Sequence, residues 1–271
     1  MIPIRKHTIF PEEFPESWAS DWGEDEFGLW MAFTYKGVRQ VFRWCEPGIF
    51  LMGSPPDEPE RESFGTDETQ HEVTLNKGFW IADTTVTQAL WMVVMGNNPS
   101  RFKGKERPIE NVSWEDAQAF IVKMNGLKAE LKLCLPLEAQ WEYACRAGCV
   151  TPFCWGDQIN STLVNFEGTH PYSNGSPSQF RDHTIEVKEL SCNDWGLYQM
   201  HGNVWEWCQD RYTPYQVGSI VDSQVPEIGV YQVLRGGAWL SHGRHCRSAS
   251  RYRNDPSHRG NAFGFRLVRD Q

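Results

Sequence analysis

The sequence predicts one loop-rich domain of short strands and short helices joined by much irregular backbone. Three observations point there. At 271 residues and 31.3 kDa the chain is too long for a small module and short for two full-sized domains. It carries 13 Trp, 23 Gly and 16 Pro, with aromatics at 13%, which suits irregular backbone pinned by large flat side chains. Apolar residues recur at helical or strand spacing only over short runs.

The elements follow in order. Residues 1–40 are acidic and aromatic, with Trp18, Trp22 and Trp30, and are expected as an N-terminal extension packing on a main domain of 41–271. Loose apolar alternation over 27–42 predicts a strand leading into that domain. FLMGS at 50–54 closes a second strand, and the polar stretch 57–68 is a loop. HEVTL at 71–75 and FWIA at 79–82 are further strands. A helix spans 88–95, with Thr87 as N-cap, Leu90, Trp91, Val94 and Met95 on one side, and Gly96 as its stop. SWED at 113–116 is a capping box in its Asp form, opening a helix whose Ala117, Phe120, Ile121 and Met124 face the core. A third helix, 138–146, begins after Pro136 and ends near Gly148, with Trp141, Ala144 and Cys145 inward. Beyond Gly148 only turns and short strands are expected. No repeat or linker marks a second domain.

Composition excludes several classes. Net charge of −9 and a pI near 5.4 disfavour a nucleic-acid-binding protein held by phosphate contacts. Mean hydropathy is −0.54, and no apolar run approaches the roughly 20 residues of a membrane span, so membrane insertion is not expected. The first residues lack the pattern of a secretory signal, which makes the cytoplasm the default location. Eight cysteines include no CxxC pair. The cluster Cys145, Cys149 and Cys154 has no histidine at zinc-finger spacing, so reduced buried thiols are expected.

Seven blocks then occur in order: FLMGS at 50–54, FW at 79–80 with TVTQ at 85–88, PIENVSW at 108–114, LPLEAQWEYACRAG at 135–148, NDWGLYQMHGNVWEW at 193–207, LRGGAW at 234–239 and GFRL at 264–267. Over residues 40–270 the chain resembles the formylglycine-generating-enzyme (sulfatase-modifying factor) domain family. The resemblance implies an α+β domain of the C-type-lectin-like kind with little regular secondary structure. In the oxidising members of that family two cysteines bind copper(I) and convert a substrate cysteine to formylglycine. Here the second cysteine position falls on Cys246 and the first on Ser241. A hard serine hydroxyl poorly replaces a thiolate on a soft cation, so copper is not expected and no catalytic residue is assigned. If the chain is an enzyme, Cys246 is its thiolate. His242 and His245 flank it, and either join Cys246 around a metal or lie as surface loop residues.

The segment 236–268 has no Lys, Glu, Gln or Met, where about six would be expected from composition. It resembles the C-terminal variable region of proteins diversified by retroelements, several of which share this fold. Adenine randomisation of Asn codons never yields those four residues or Trp. That resemblance implies a ligand-binding surface for a protein or other macromolecule made of Leu240, Ser241, His242, His245, Ser250, Tyr252, Asn254, Asp255, His258, Asn261, Ala262 and Phe263. Arg247, Ser248, Ala249, Arg251, Pro256, Arg259 and GFRL would be its framework. Undiversified relatives would carry Arg-Ser-Ala and Gly-Phe-Arg here as well, so drift is the competing explanation.

Eight arginines lie from 235 to 269. They serve either an anionic partner or, as favoured here, loop carbonyls and carboxylates such as Glu142 and Glu206. The resemblance further implies a structural calcium site on Gln199, the Gly202 and Val204 carbonyls, and Glu206. In a second family site, Asn165 and the Phe166 carbonyl would meet Ser178 where an acid is expected. The expected function is a non-catalytic binding protein. The alternatives are a copper-dependent oxidase of peptide cysteines and an accessory domain of a bacterial kinase or secretion system.

Overall fold

A computed structural model of the chain describes residues 5–61, 67–215, 218–222 and 228–270. Of the acidic loop expected at 57–68, residues 62–66 fall outside those described. The described residues form, in order, strands β1 (Asp21–Asp25), β2 (Gly28–Tyr35), β3 (Val38–Cys45), β4 (Gly48–Met52), β5 (His71–Leu75) and β6 (Phe79–Ala82). Helices α1 (Gln88–Met95), α2 (Trp114–Leu127) and α3 (Glu138–Arg146) follow. The rest is irregular apart from two short 3-10 turns and strands β7 (Trp205–Arg211), β8 (Ile220–Val221), β9 (Gln232–Arg235), β10 (Arg251–Asn254), β11 (Phe263–Phe265) and β12 (Val268–Asp270). No helix among the described residues is long and apolar enough to cross a membrane.

Lys36 and Gly37 both take positive φ, 47° and 80°, as a two-residue hairpin turn requires to follow the twist of its strands. They join β2 to β3 with Tyr35 opposite Val38. The run expected as one strand at 27–42 is therefore a hairpin. Its partner β1 lies antiparallel to β2, and the sheet runs β1-β2-β3-β6-β12. Residues 21–35, expected as part of an extension, thus supply the outer strands of the largest sheet, and Trp18 is buried beneath it. Two smaller sheets complete the fold, β10-β9-β7-β11 and β4-β5-β8.

Helix ends obey local chemistry. Thr87 Oγ1 accepts the Leu90 N–H at 3.2 Å, and Gly96 ends α1 in the left-handed region at φ 84°. Ser113 and Asp116 form the reciprocal capping box of α2, with bonds of 3.1 and 2.9 Å. α1 packs on β3 of the large sheet and on α2, which reaches β11 of the four-stranded sheet. Trp91 stacks on Phe120 at 5.5 Å, and Phe120 meets Phe265 edge-on at 5.5 Å, each such pair contributing about 0.5–1.5 kcal/mol beyond area burial.

α3 departs from the amphipathic expectation: all nine of its residues are buried. Its acids can go inside because arginines from the following sheet meet them. Arg251 Nε and Nη2 donate to Glu138 at 2.7 and 2.8 Å, while Arg146 and Arg235 both donate to Glu142. Burial alone would raise the Glu142 carboxyl, but Arg146 and Arg235 hold it below its usual range. A third apolar cluster gathers Phe153, Ile159, Val164, Phe166, Tyr172 and Cys246.

Candidate functional site

The candidate segment leaves β9 through two glycines that no other residue could replace without strain. Gly236 and Gly237 have φ of 97° and 78°, and a Cβ on Gly237 would lie 2.6 Å from the Cys246 sulfur. The backbone thus crosses directly over Cys246. That thiol is buried in the third apolar cluster, and desolvation pushes its pKa far above the ordinary thiol value. Ser241 is buried too. Its Oγ accepts the Ala238 N–H at 3.0 Å and its carbonyl accepts the Glu167 N–H at 2.9 Å, so the residue at the first cysteine position braces the loop.

His201 completes this buried neighbourhood. Its Nε2 faces the Cys154 N–H at 3.3 Å, and its Nδ1 lies 2.7 Å from the Cys246 carbonyl. An acceptor at Nε2 requires the proton on Nδ1, which is the neutral tautomer. Burial lowers this imidazole to about 4. All eight cysteines are free thiols; Cys45, Cys145, Cys154, Cys208 and Cys246 are buried, and Cys134, Cys149 and Cys192 are half-buried.

The twelve candidate ligand-binding residues divide. Leu240, Asp255 and His258 are exposed, and His242, Tyr252, Asn254 and Asn261 are half-buried. Ser241, His245, Ser250, Ala262 and Phe263 are inside, which removes them from any contact surface in this conformation. Phe263 pairs with Trp207 and Tyr252 at 5.7 and 6.2 Å, and the Ala262 carbonyl receives the Trp205 N–H at 2.8 Å. These are framework roles, because β11 runs parallel to β7 here and its flanks must pack.

Leu240 and His242 lie on the loop before β10, Tyr252 and Asn254 lie in β10, and Asp255, His258 and Asn261 sit on a braced connection between β10 and β11. Arg259 Nε and Nη2 fork onto Asp116 at 2.6 and 2.8 Å, and the Glu115 N–H meets the Pro256 carbonyl at 3.2 Å. Asp116 thereby serves both the capping box and the loop. Asp255 Oδ1 accepts the Ser257 N–H and hydroxyl at 2.8 and 2.5 Å, closing a local turn. Tyr252 leans on Trp205 at 5.3 Å, and the Trp239 indole N–H reaches the Asn261 carbonyl at 3.1 Å. Trp239 therefore joins the two ends of the segment.

His242 does not approach Cys246 as a co-ligand. It stacks instead on His170 and faces Glu167, residues that no local sequence signal linked to it. His245 is buried, and desolvation together with Arg244 lowers it to about 3.

Most of these arginines are structural. Arg266 forks onto Glu206, Arg247 onto Glu68 and Glu58, Arg235 and Arg251 onto the acids of α3, and Arg269 onto Glu16. Six of the eight, counting Arg259, face carboxylates, which leaves little of this charge for an anionic partner.

The calcium donors expected from the sequence do not fit a cation here. Both Glu206 oxygens accept from Arg266 at 2.9 Å, and Oε2 also takes the Trp141 indole N–H at 2.8 Å. The Gly202 carbonyl accepts the Val204 N–H. Gln199 donates to the Glu186 carbonyl at 2.7 Å, and only its buried Oε1 lacks a partner. A calcium ion needs six to eight oxygens, and the one acid of the set is already neutralised. In the second set Asn165 Oδ1 is unpartnered, but the Ser178 hydroxyl accepts the Ser161 N–H at 3.1 Å and supplies no charge.

The Sulfatase-modifying factor enzyme 1-like domain profile matches residues 38–271. The chain belongs to that family. Within the sulfatase-modifying-factor family, the formylglycine-generating enzyme of Streptomyces coelicolor is 31% identical over 229 residues, 78% of this chain and 70% of that protein. The Mus musculus enzyme is 31% identical over 209 residues, 74% of this chain but 53% of that protein, so the chain spans about half the length of the mouse relative. Among solved structures, Treponema denticola variable protein 1 superposes with a TM-score of 0.73 at 26% identity, covering 88% of this chain and 98% of that one. PvdO from Pseudomonas aeruginosa gives 0.73 at 27% identity over 89% and 98%. The fold is the mixed α and β, C-type-lectin-like architecture of this family.

Proposed function

We propose that this member of the family is a non-catalytic ligand-binding protein whose contact surface is the exposed part of the segment 236–268. The observation that carries the reading is the state of the two cysteine positions. Cys246 is a buried protonated thiol under the Gly237 backbone, and Ser241 spends its hydroxyl on the Ala238 N–H. A copper(I) centre needs paired thiolates within reach of oxygen and substrate, and this arrangement offers neither.

The surface consists of Leu240, His242, Tyr252, Asn254, Asp255, His258 and Asn261, held by Trp239 and the Arg259–Asp116 fork. Adaptable polar groups beside one tyrosine on a rigid scaffold suit recognition of a macromolecule. Similarity to a Treponema denticola variable protein supports the further reading that this surface is retroelement-diversified.

Anaerobic titration with copper(I) tests the main reading. We expect no stoichiometric site that depends on Cys246 and no conversion of cysteine peptides under oxygen. Tight one-to-one binding abolished by Cys246→Ala would sink the binding-protein reading. Diversification is tested separately in the encoding DNA: it is abandoned if no adenine-rich near-copy of the 3′ coding end and no reverse transcriptase gene lie nearby.

A further inference from the structure

We propose that Glu167, His170 and His242 form a binding site for a borderline divalent cation, zinc by its chemistry, between the 167–170 turn and the loop that opens the candidate binding surface. This inference stands apart from the function proposed above. It rests on three ligating side chains from two loops, whose donor atoms all lie within 4.8 Å of one another.

The backbone fixes how these residues meet. The Glu167 N–H donates to the Ser241 carbonyl, and the Gly243 N–H donates to the His170 carbonyl, both at 2.9 Å. The two bonds flank His242 on either side and present it to the turn. A further bond of 2.9 Å from the His170 N–H to the Glu167 carbonyl closes the turn itself. Gly243 permits the approach, since a Cβ there would stand 2.5 Å from the Tyr172 nitrogen. The three Cα positions are therefore set by the fold.

The side chains converge on the carboxylate. Glu167 Oε1 lies 3.0 Å from His170 Nδ1, and Oε2 lies 3.5 Å from His242 Nε2. Donors in a tetrahedral zinc site stand about 3.3 Å apart, given bonds of about 2.0–2.1 Å. The imidazoles are stacked, with centroids 4.2 Å apart and planes 5° from parallel, so their lone pairs do not meet at one point. Rotation about Cβ–Cγ is soft and both rings are about half exposed, so a cation would have to turn the rings out of the stack and draw His170 Nδ1 from the Thr169 hydroxyl at 3.2 Å. Two imidazoles and one carboxylate favour zinc over the all-oxygen preference of calcium or magnesium. Three protein ligands leave the fourth position open. A bound cation would clamp the His242 loop to the turn.

Tag-free protein stripped with chelator and dialysed is titrated with cobalt(II), followed by zinc competition. We expect one cobalt per chain, visible bands of a low-coordinate nitrogen and oxygen site, and full displacement by zinc. His170→Ala, His242→Ala and Glu167→Gln should each weaken zinc binding by about 100-fold or more, beyond the loss known for outer-sphere partners. Glu189→Gln, at an exposed acid outside both sites, should leave it unchanged. The proposal is overturned by absence of saturable one-to-one binding, by a sulfur-to-cobalt charge-transfer band, or by near-native affinity in any two of the three ligand variants. The wild-type cobalt spectrum decides the matter even if one variant fails to fold.

Discussion

Replacing Arg266 tests whether the arginines of this domain are framework. The guanidinium is fully buried and makes four hydrogen bonds: two of 2.9 Å to Glu206, one of 2.9 Å to the Ala82 carbonyl and one of 2.8 Å to the Tyr198 carbonyl. Arg266→Ala leaves Glu206 buried with only the Trp141 indole as a donor, and it strands two carbonyls. Breaking a buried pair on one side costs about 3–5 kcal/mol, which for a chain of this size lowers Tm by about 6–20 °C. Urea unfolding at neutral pH should show a lower midpoint with an unchanged slope. The double variant Arg266→Met with Glu206→Gln should lose less than the sum of the single changes, since it removes both charges. Added calcium should leave the wild-type midpoint where it is. The reasoning fails if Arg266→Ala stays within about 1 kcal/mol of wild type. It also fails if chelation lowers the midpoint and calcium restores it, because Glu206 would then be holding a cation.

The division of the candidate segment predicts opposite outcomes at neighbouring positions. Phe263→Ala should cost about 3–5 kcal/mol in the same unfolding assay, and His258→Ala should change stability by no more than about 0.5 kcal/mol; equal, small effects would place both residues on the surface. His201 sets a pH dependence. Its folded pKa of about 4 lies below the ordinary histidine value, so the unfolded chain takes up the proton first. Its contribution is intact above about pH 6.5 and falls by about 3 kcal/mol as the pH drops to about 4. His201→Asn keeps a donor for the Cys246 carbonyl and should flatten that limb of the stability profile, and an unchanged slope would remove His201 as its cause.

Local chemistry was legible in the sequence. Thr87 and Gly96, Ser113 and Asp116, and the apolar runs at 71–75 and 79–82 each place an element through groups only a few residues apart. The hairpin at Lys36-Gly37 escaped because Lys-Gly is not among the residue pairs that signal a primed turn. The complete burial of α3 could not be read locally, since it depends on Arg235 and Arg251 arriving from about a hundred residues downstream. The same limit applies at the site. In irregular backbone, neighbours such as Ala262 and Asn261 differ in depth without any period to announce it, and His242 finds its partners in a turn some seventy residues earlier. The inward use of the arginines was foreseen from the shortage of donors for loop carbonyls, and the pairs Arg235–Glu142 and Arg266–Glu206 bear it out.

β12 pairs with β6, and β6 is otherwise an open edge beside β3. The residues that complete the largest sheet thus begin only at the last position of the segment 236–268 in the order of synthesis. A nascent chain cannot close that sheet until the whole candidate surface has been made and has let β11 and β12 reach their places. A substitution in the segment that jams the return of β12 leaves the Phe79–Ala82 edge bare and prone to pair with another chain.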